Sequence, residues 1–330
     1  MELQELTLIN TGVSNFQDIG TTLSFCPALN HLRISSSGGH APIDYKDTFK
    51  FVFMKIRDIC TPELTDIDFS DCCLGVVANQ LAQEMPLYLA LTKLDLSGNK
   101  LYRYNGSHFD VITALPECHR LQQLDLSNNE LNDRSGDVLA LTLPTCTSLT
   151  HLDLSCNTFG IPGNLARTLP LCTVLRHLSL RNNAGLHTSA LGDLLVAGGC
   201  SHLTCLNVSG CRFFLSNMVA VAPLIVLCVN GIGLFTNLTE LNLSRNRLGD
   251  GFTQGLVTSV LPACTEITCL DLTDTDITDA GVRGLSKVIW VCPKLVRLGL
   301  TDNRLGPNTR AKIRTNWNEV HAPQTDGLWM

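Results

Sequence analysis

The chain has 330 residues, a formal charge of −6 and a hydrophobic fraction of 45%, while charged residues make up only 16%. Leucine alone fills 56 positions, enough for a large core, which excludes intrinsic disorder. The acidic balance argues against nucleic acid as a primary partner. The lack of any stretch of about 20 apolar residues argues against a membrane span. The first residues, Met1 to Glu5, have neither the basic head nor the apolar run of a signal peptide.

Fifteen cysteines are present. A leucine-packed chain of this size needs no disulfide staples, so reduced thiols and a cytoplasmic address are expected. Eight of the cysteines recur at one place in a repeat, where a thiol behaves as a small buried hydrophobe.

The repeat has the form L-x-x-L-x-L-x-x-N-x-L. Loose copies begin at Leu3, Leu29 and Leu64. Regular copies follow from Leu91, Leu121, Leu149, Leu175, Leu203, Leu238, Ile267 and Leu295, giving eleven. The steps between starts are 26, 35, 27, 30, 28, 26, 28, 35, 29 and 28 residues. Alternation in the x-L-x-L-x segment predicts a short strand with its leucines turned inward. Asn99, Asn129, Asn157, Asn183, Asn246 and Asn303 share the next slot, where an amide can bond the turning backbone from repeat to repeat. Cys72, Cys211, Thr11 and Thr275 replace it elsewhere.

A helix is predicted after each strand, as over Asp279 to Trp290. Four helices stop at Leu-Pro-x-Cys (Leu115 to Cys118, Leu143 to Cys146, Leu169 to Cys172, Leu261 to Cys264), where proline interrupts helical bonding. Cys26, Cys60, Cys200 and Cys292 sit at the same junction. The two long steps mark insertions. Residues 35–42 read as a loop, with Phe49 to Met54 as the buried helix behind it. Residues 218–229 are an apolar run that reads as a lengthened buried helix or an exposed docking patch. At the end, Asn308 to Trp317 predicts a helix and Gly327 to Met330 a last strand. The strand at Leu3 has no repeat before it. It reads as a weakened first repeat, a trimmed chain, or an end that docks on a partner.

This pattern resembles the leucine-rich repeat. A period near 28 with a full helix is similar to the ribonuclease-inhibitor-like class, and single copies such as Cys264 to Cys292 resemble the cysteine-containing class. The resemblance implies an α/β solenoid of about eleven repeats, a horseshoe with parallel strands on the concave face and helices on the convex face. It also implies one domain over 1–330, closed by a cap over 306–330.

Chemistry is sparse. No phosphate loop, nucleophile elbow or H-E-x-x-H motif occurs, and neither cofactor nor catalytic group is expected. The column after the second leucine carries Asp68, Asp95, Asp125 and Asp153 on successive strands, about 4.8 Å apart. Such a stripe, facing solvent, would welcome a basic partner. The neighbouring column includes His151 and His177, with Cys205 one strand further. Two strand spacings, about 9.6 Å, separate His151 from Cys205, too far for a tetrahedral zinc set without a fourth ligand. Arg176, Arg181, Arg245, Arg247, Arg297 and Arg304 make the later repeats more basic. Tyr102 and Tyr104, with Arg103 between them, are residue types favoured at binding hot spots.

These features predict a non-catalytic protein-binding module or scaffold gripping a protein on its concave face. It would be a subunit of a larger assembly, cytoskeletal or flagellar, or an inhibitor that cups its partner. Two alternatives follow from resemblance. Ran GTPase activators are similar, and Arg181, Arg245 or Asn246 would then act at the phosphate. Ubiquitin-ligase substrate receptors also use cysteine-containing repeats.

Overall fold

The computed structural model describes residues 3–9, 21–35, 45–60, 63–103, 108–160, 163–186, 202–213, 236–321 and 327–330. The chain forms two compact units, Met1–Thr158 and Phe159–Met330.

The first unit contains strands β1 (Glu5–Ile9), β2 (His31–Ser35), β3 (Asp66–Asp68), β4 (Lys93–Asp95), β5 (Gln123–Asp125) and β6 (His151–Asp153). Each pairs in parallel with the next in sequence, with Asp66 opposite Lys93, Lys93 opposite Gln123, and Gln123 opposite His151. Every strand begins two residues after a predicted repeat start. The helices are α1 (Tyr45–Lys55), α2 (Ala78–Glu84), α3 (His108–Ala114) and α4 (Asp133–Thr142), each packed on the next. Helix α1 buries Phe49 and Phe53 against Phe69, with ring centroids 5.6 to 5.9 Å apart. Helix α4 starts at a capping box, in which Asn132 Oδ1 accepts from Arg134 and Ser135 N–H and Ser135 Oγ accepts from Asn132 N–H.

The second unit opens with α5 (Gly163–Thr168) and contains β7 (His177–Ser179), β8 (Cys205–Asn207), β9 (Glu240–Asn242), β10 (Cys269–Asp271), β11 (Arg297–Gly299) and β12 (Leu328–Trp329), again parallel and in chain order. Helices α6 (Gly249–Gly255), α7 (Asp279–Val291) and α8 (Pro307–Val320) pack successively. The expected final helix and strand are therefore present. Gly327 is required by close approach, because a Cβ there would meet the carbonyl of Val296. Trp317 of α8 is buried and stacks on His321 with centroids 3.9 Å apart. His321 Nε2 lies against the Leu295 carbonyl oxygen.

The middle residue of each three-residue strand, β3 to β11, is buried: Ile67, Leu94, Leu124 and Leu152, then Leu178, Leu206, Leu241, Leu270 and Leu298; in the longer β2 the inward pair Leu32 and Ile34 is buried. The asparagine slot works as a backbone substitute. Asn129 Oδ1 accepts from Asn99 N–H at 3.0 Å and Leu101 N–H at 3.3 Å, while its Nδ2 donates to the carbonyls of Leu96 and Ser127. Asn99, Asn157, Asn246 and Asn303 do likewise. Cys72 and Cys211 fill the slot with thiols that donate to the Ile34 and Leu180 carbonyls.

The Leu-Pro-x-Cys junctions have a cause that volume alone does not give. Each is a tight turn in which the cysteine N–H bonds the carbonyl three residues back, as Cys118 N–H does to Leu115 O at 3.0 Å. That leaves the carbonyl four residues back without its helical donor. The thiol supplies it: Cys118 to Ala114 O, Cys146 to Thr142 O, Cys172 to Thr168 O and Cys264 to Val260 O, at 3.4 to 3.8 Å. Burial pushes the Cys118 thiol up to about 12 and the Cys146 thiol to about 11, so these groups stay protonated and inert at neutral pH.

Residues 36–44, 214–235 and 104–107 lie outside the described residues, and with them most of the first expected loop, the whole apolar 218–229 run and Tyr104.

Candidate functional site

The parallel register places Asp68 beside Asp95, Asp95 beside Asp125 and Asp125 beside Asp153. The expectation that these carboxylates stand free in solvent needs correction, for they are half-buried. Each turns back onto the chain and accepts the N–H two residues on: Ser70 to Asp68 at 2.9 Å, Ser97 to Asp95 and Ser127 to Asp125 at 2.8 Å, and Ser155 to Asp153 at 2.7 Å. The column thus holds the turns after the strands. Asp68 also pairs with Arg33 at 2.9 Å, and Asp66 with His31 at 2.6 Å. Among the described residues Asp95, Asp125 and Asp153 have no cation within ion-pair reach.

Asp125, in the middle, shows the electrostatic consequence. Burial, the largest cause, raises its pKa from 3.8 to about 6. The hydrogen bonds from Ser127 oppose the rise, and the neighbouring charges of Asp95 and Asp153 add to it. The folded chain therefore holds a proton that the unfolded chain has released between pH 3.8 and about 6. Stability from this group grows as pH falls through that window and is lost as pH rises through it. Asn207 and Asn242 occupy the same slot and make the same turn, accepting from Ser209 and Ser244 N–H at 3.0 Å. Asp125→Asn should therefore keep the turn and raise stability at pH 7.5 by about 1 kcal/mol, discounted for partial solvent screening. Urea unfolding at pH 4.5 and 7.5 checks this: the gain should shrink at the lower pH, and an equal gain at both would refute the assignment.

The other expected residues are distributed as follows. His151, on β6, contacts Thr150 Oγ1 through Nδ1 at 2.8 Å. His177 begins β7 and so belongs to the second unit. Tyr102 is exposed on a tight turn over Leu101–Arg103. Arg181 is exposed just after β7. Among the described residues no group of three or more histidine, cysteine or acidic side chains is placed to hold a metal ion. Asn246 is corrected: it is buried, its Oδ1 accepts from Phe213 N–H, and its Nδ2 donates to the Val208 and Leu243 carbonyls. It is part of the ladder and is not available to a substrate.

Charge divides sharply between the units. Residues 1–158 hold ten Lys/Arg against nineteen Asp/Glu, and residues 159–330 hold fourteen against eleven. Not all the expected basic residues remain open: Arg297 pairs with Glu240 at 2.9 Å and Arg304 with Asp276 at 3.0 Å. Arg245 and Arg247 instead line a cleft of about 720 Å³ together with Arg212, Arg304, Asp274 and Asp276. Sequence reading missed Arg212, Asp274 and Asp276. The available signal was the slot after the ladder residue, which holds Arg212, Arg247, Asp276 and Arg304 in four successive repeats.

Comparison with known proteins agrees with this architecture. The Leucine Rich repeat family model matches residues 117–140, 145–163, 199–213, 236–251 and 263–286. The chain is 31% identical over 268 residues to a Tonsoku-like protein of Bos taurus, covering 71% of this chain and 18% of the relative. It is 30% identical over 145 residues to a Tonsoku-like protein of Danio rerio, covering 43% of this chain and 10% of the relative. The chain thus spans less than a fifth of the length of these curated relatives. Among solved structures it is similar to TLR13 in its complex with ssRNA13, with a TM-score of 0.54 and 20% identity over 92% of this chain and 36% of the other. That likeness concerns the fold. With eleven in-phase copies, a parallel strand at each and an asparagine ladder between them, the chain is a leucine-rich-repeat protein.

Proposed function

We propose that this chain is a non-catalytic protein-binding scaffold, a subunit of a larger assembly, whose first unit receives a basic segment of its partner along Asp95, Asp125 and Asp153. The observation that carries the reading is the row of three half-buried carboxylates on adjacent strands, with no cation within ion-pair reach among the described residues. Bringing like charges together costs about 1 kcal/mol per pair in water, and an incoming lysine or arginine would turn that cost into attraction. The similarity to segments of the much longer Tonsoku-like proteins supports a repeat module that works by binding. The period near 28 residues supports the ribonuclease-inhibitor-like class, a single domain over 1–330 and a cap over 306–330. The inert thiols support residence in a reducing compartment such as the cytoplasm. No described helix is long and apolar enough to cross a membrane.

The test removes charge without removing the turns. The triple variant Asp95→Asn, Asp125→Asn, Asp153→Asn should fold with native circular dichroism, because asparagine serves the same slot at positions 207 and 242. Affinity isolation of the tagged chain from its native cell should recover a stoichiometric partner with the wild type and at least tenfold less with the variant. Equal recovery would reject the acidic column as the site.

A further inference from the structure

The cleft of the second unit suggests a binding site of opposite sign. It involves different residues from the acidic column and goes beyond that reading. Arg212, Arg245, Arg247 and Arg304 converge on it from the turns that follow β8, β9 and β11, and Asp274 and Asp276 enter from the turn after β10. Arg304 is held by Asp276 at 3.0 Å. Among the described residues Arg212, Arg245 and Arg247 have no carboxylate within ion-pair distance. Three uncompensated guanidinium groups around one concavity are costly to keep together, and each presents a planar fork suited to an oxyanion.

The backbone adds a second observation. Each repeat from Leu64 on turns through a left-handed residue just before the ladder slot: Asp71, Gly98, Asn128, Cys156, Asn182, Gly210, Asp274 and Asp302 take φ between 52° and 70°. Apart from Cys156, these are the residue types that adopt this conformation at least cost. Arg245 stands in that series with φ 56°. A long cation gains nothing for the turn, yet this conformation aims it at the cleft beside Arg247.

We propose that this cleft binds an acidic segment of a protein partner, carrying clustered carboxylates or a phosphorylated side chain. A peptide fits better than a nucleic acid. Among the described residues no aromatic side chain lines the cleft to stack a base. Asp276 is engaged by Arg304, and Asp274 can accept from a peptide N–H or a flanking hydroxyl between the acidic side chains, whereas a phosphodiester linkage offers it no donor.

The experiment uses the full chain and fluorescence anisotropy with four labelled probes. These are a dodecapeptide of alternating glutamate and serine, the same peptide with two serines phosphorylated, its glutamine counterpart, and a uridine dodecamer. Both acidic peptides should bind, and the glutamine peptide at least tenfold more weakly. Tighter binding of the phosphorylated form would identify phosphate as the preferred anion, and equal binding would identify carboxylates. Arg245→Glu with Arg247→Glu should weaken binding at least tenfold, while Arg314→Glu, exposed on α8, should leave it unchanged. Arg245→Asn separates binding from folding, since asparagine suits the left-handed turn: affinity should fall while the melting temperature holds or rises. The proposal is overturned if neither acidic peptide binds, if the RNA binds more tightly than both, or if Arg314→Glu weakens binding as much as the cleft variants.

Discussion

Replacing Asn129 with leucine is expected to cost the first unit at least about 4 kcal/mol, enough to unfold it at room temperature or to confine it to a loosely packed state. The reason is a count of orphaned groups. Asn129 is fully buried, and its amide satisfies the N–H groups of Asn99 and Leu101 and the carbonyls of Leu96 and Ser127. Leucine has a similar branching but is larger, and it satisfies none of them; each buried backbone group left unpaired costs about 1–3 kcal/mol, and the extra volume adds to that. Asn129→Thr should cost clearly less. Threonine already serves the slot at 275, where its hydroxyl donates to the Leu272 carbonyl at 2.7 Å. Urea titration followed by circular dichroism ranks the three chains. If Asn129→Leu falls within 1 kcal/mol of wild type, the ladder is not what holds successive turns together.

The second large effect is expected in helix α8. Trp317→Ala should destabilise the second unit by about 3–5 kcal/mol, the usual cost of removing a fully buried aromatic side chain. Trp317 fills the space between α8 and the last regular repeat, and His321 stacks on it while reaching the Leu295 carbonyl. Behind this layer lie Leu295, Leu298 and Leu300, all within 1% of complete burial. Loss of the indole should therefore loosen the pairing of β12 with β11, including the Leu300 N–H to Trp329 O bond. Hydrogen exchange gives the check. The amides around Leu298 and Leu300 should lose protection in the variant, while those around Leu241 in β9 change much less. Uniform loss across the unit would mean that α8 is not a local closing layer.

The frame of the fold was legible because two slots admit few residues. The inward strand position needs an aliphatic side chain, and the slot after the turn needs a group that mimics the peptide bond, which fixes the period even where the sequence drifts around Leu29 and Leu64. The recurring cysteines were legible as a column but not as donors. Their role depends on proline shortening the preceding turn, which strands a carbonyl four residues back, as at Ala114 and Thr142. The acidic column was read in place, yet its exposure was overestimated. Alternation says which way Asp125 leaves the strand, not that its carboxylate bends back to Ser127. The arginine cleft was the least legible feature. Arg212 and Arg247 occupy a slot that packing leaves free, so only the superposition of successive turns brings them together.

The measurement that bears most directly on the central claim is cross-linking mass spectrometry of the chain isolated with its companions under mild salt. Lys93 lies on β4, two residues before Asp95 and directly opposite Gln123 of β5, so it reports on the acidic column. A scaffold that binds there predicts a companion present in fixed proportion, cross-linked from its own basic segment to Lys93. A chain that emerges alone, or whose companions cross-link only to Lys287 or Lys312 in the second unit, would contradict the account.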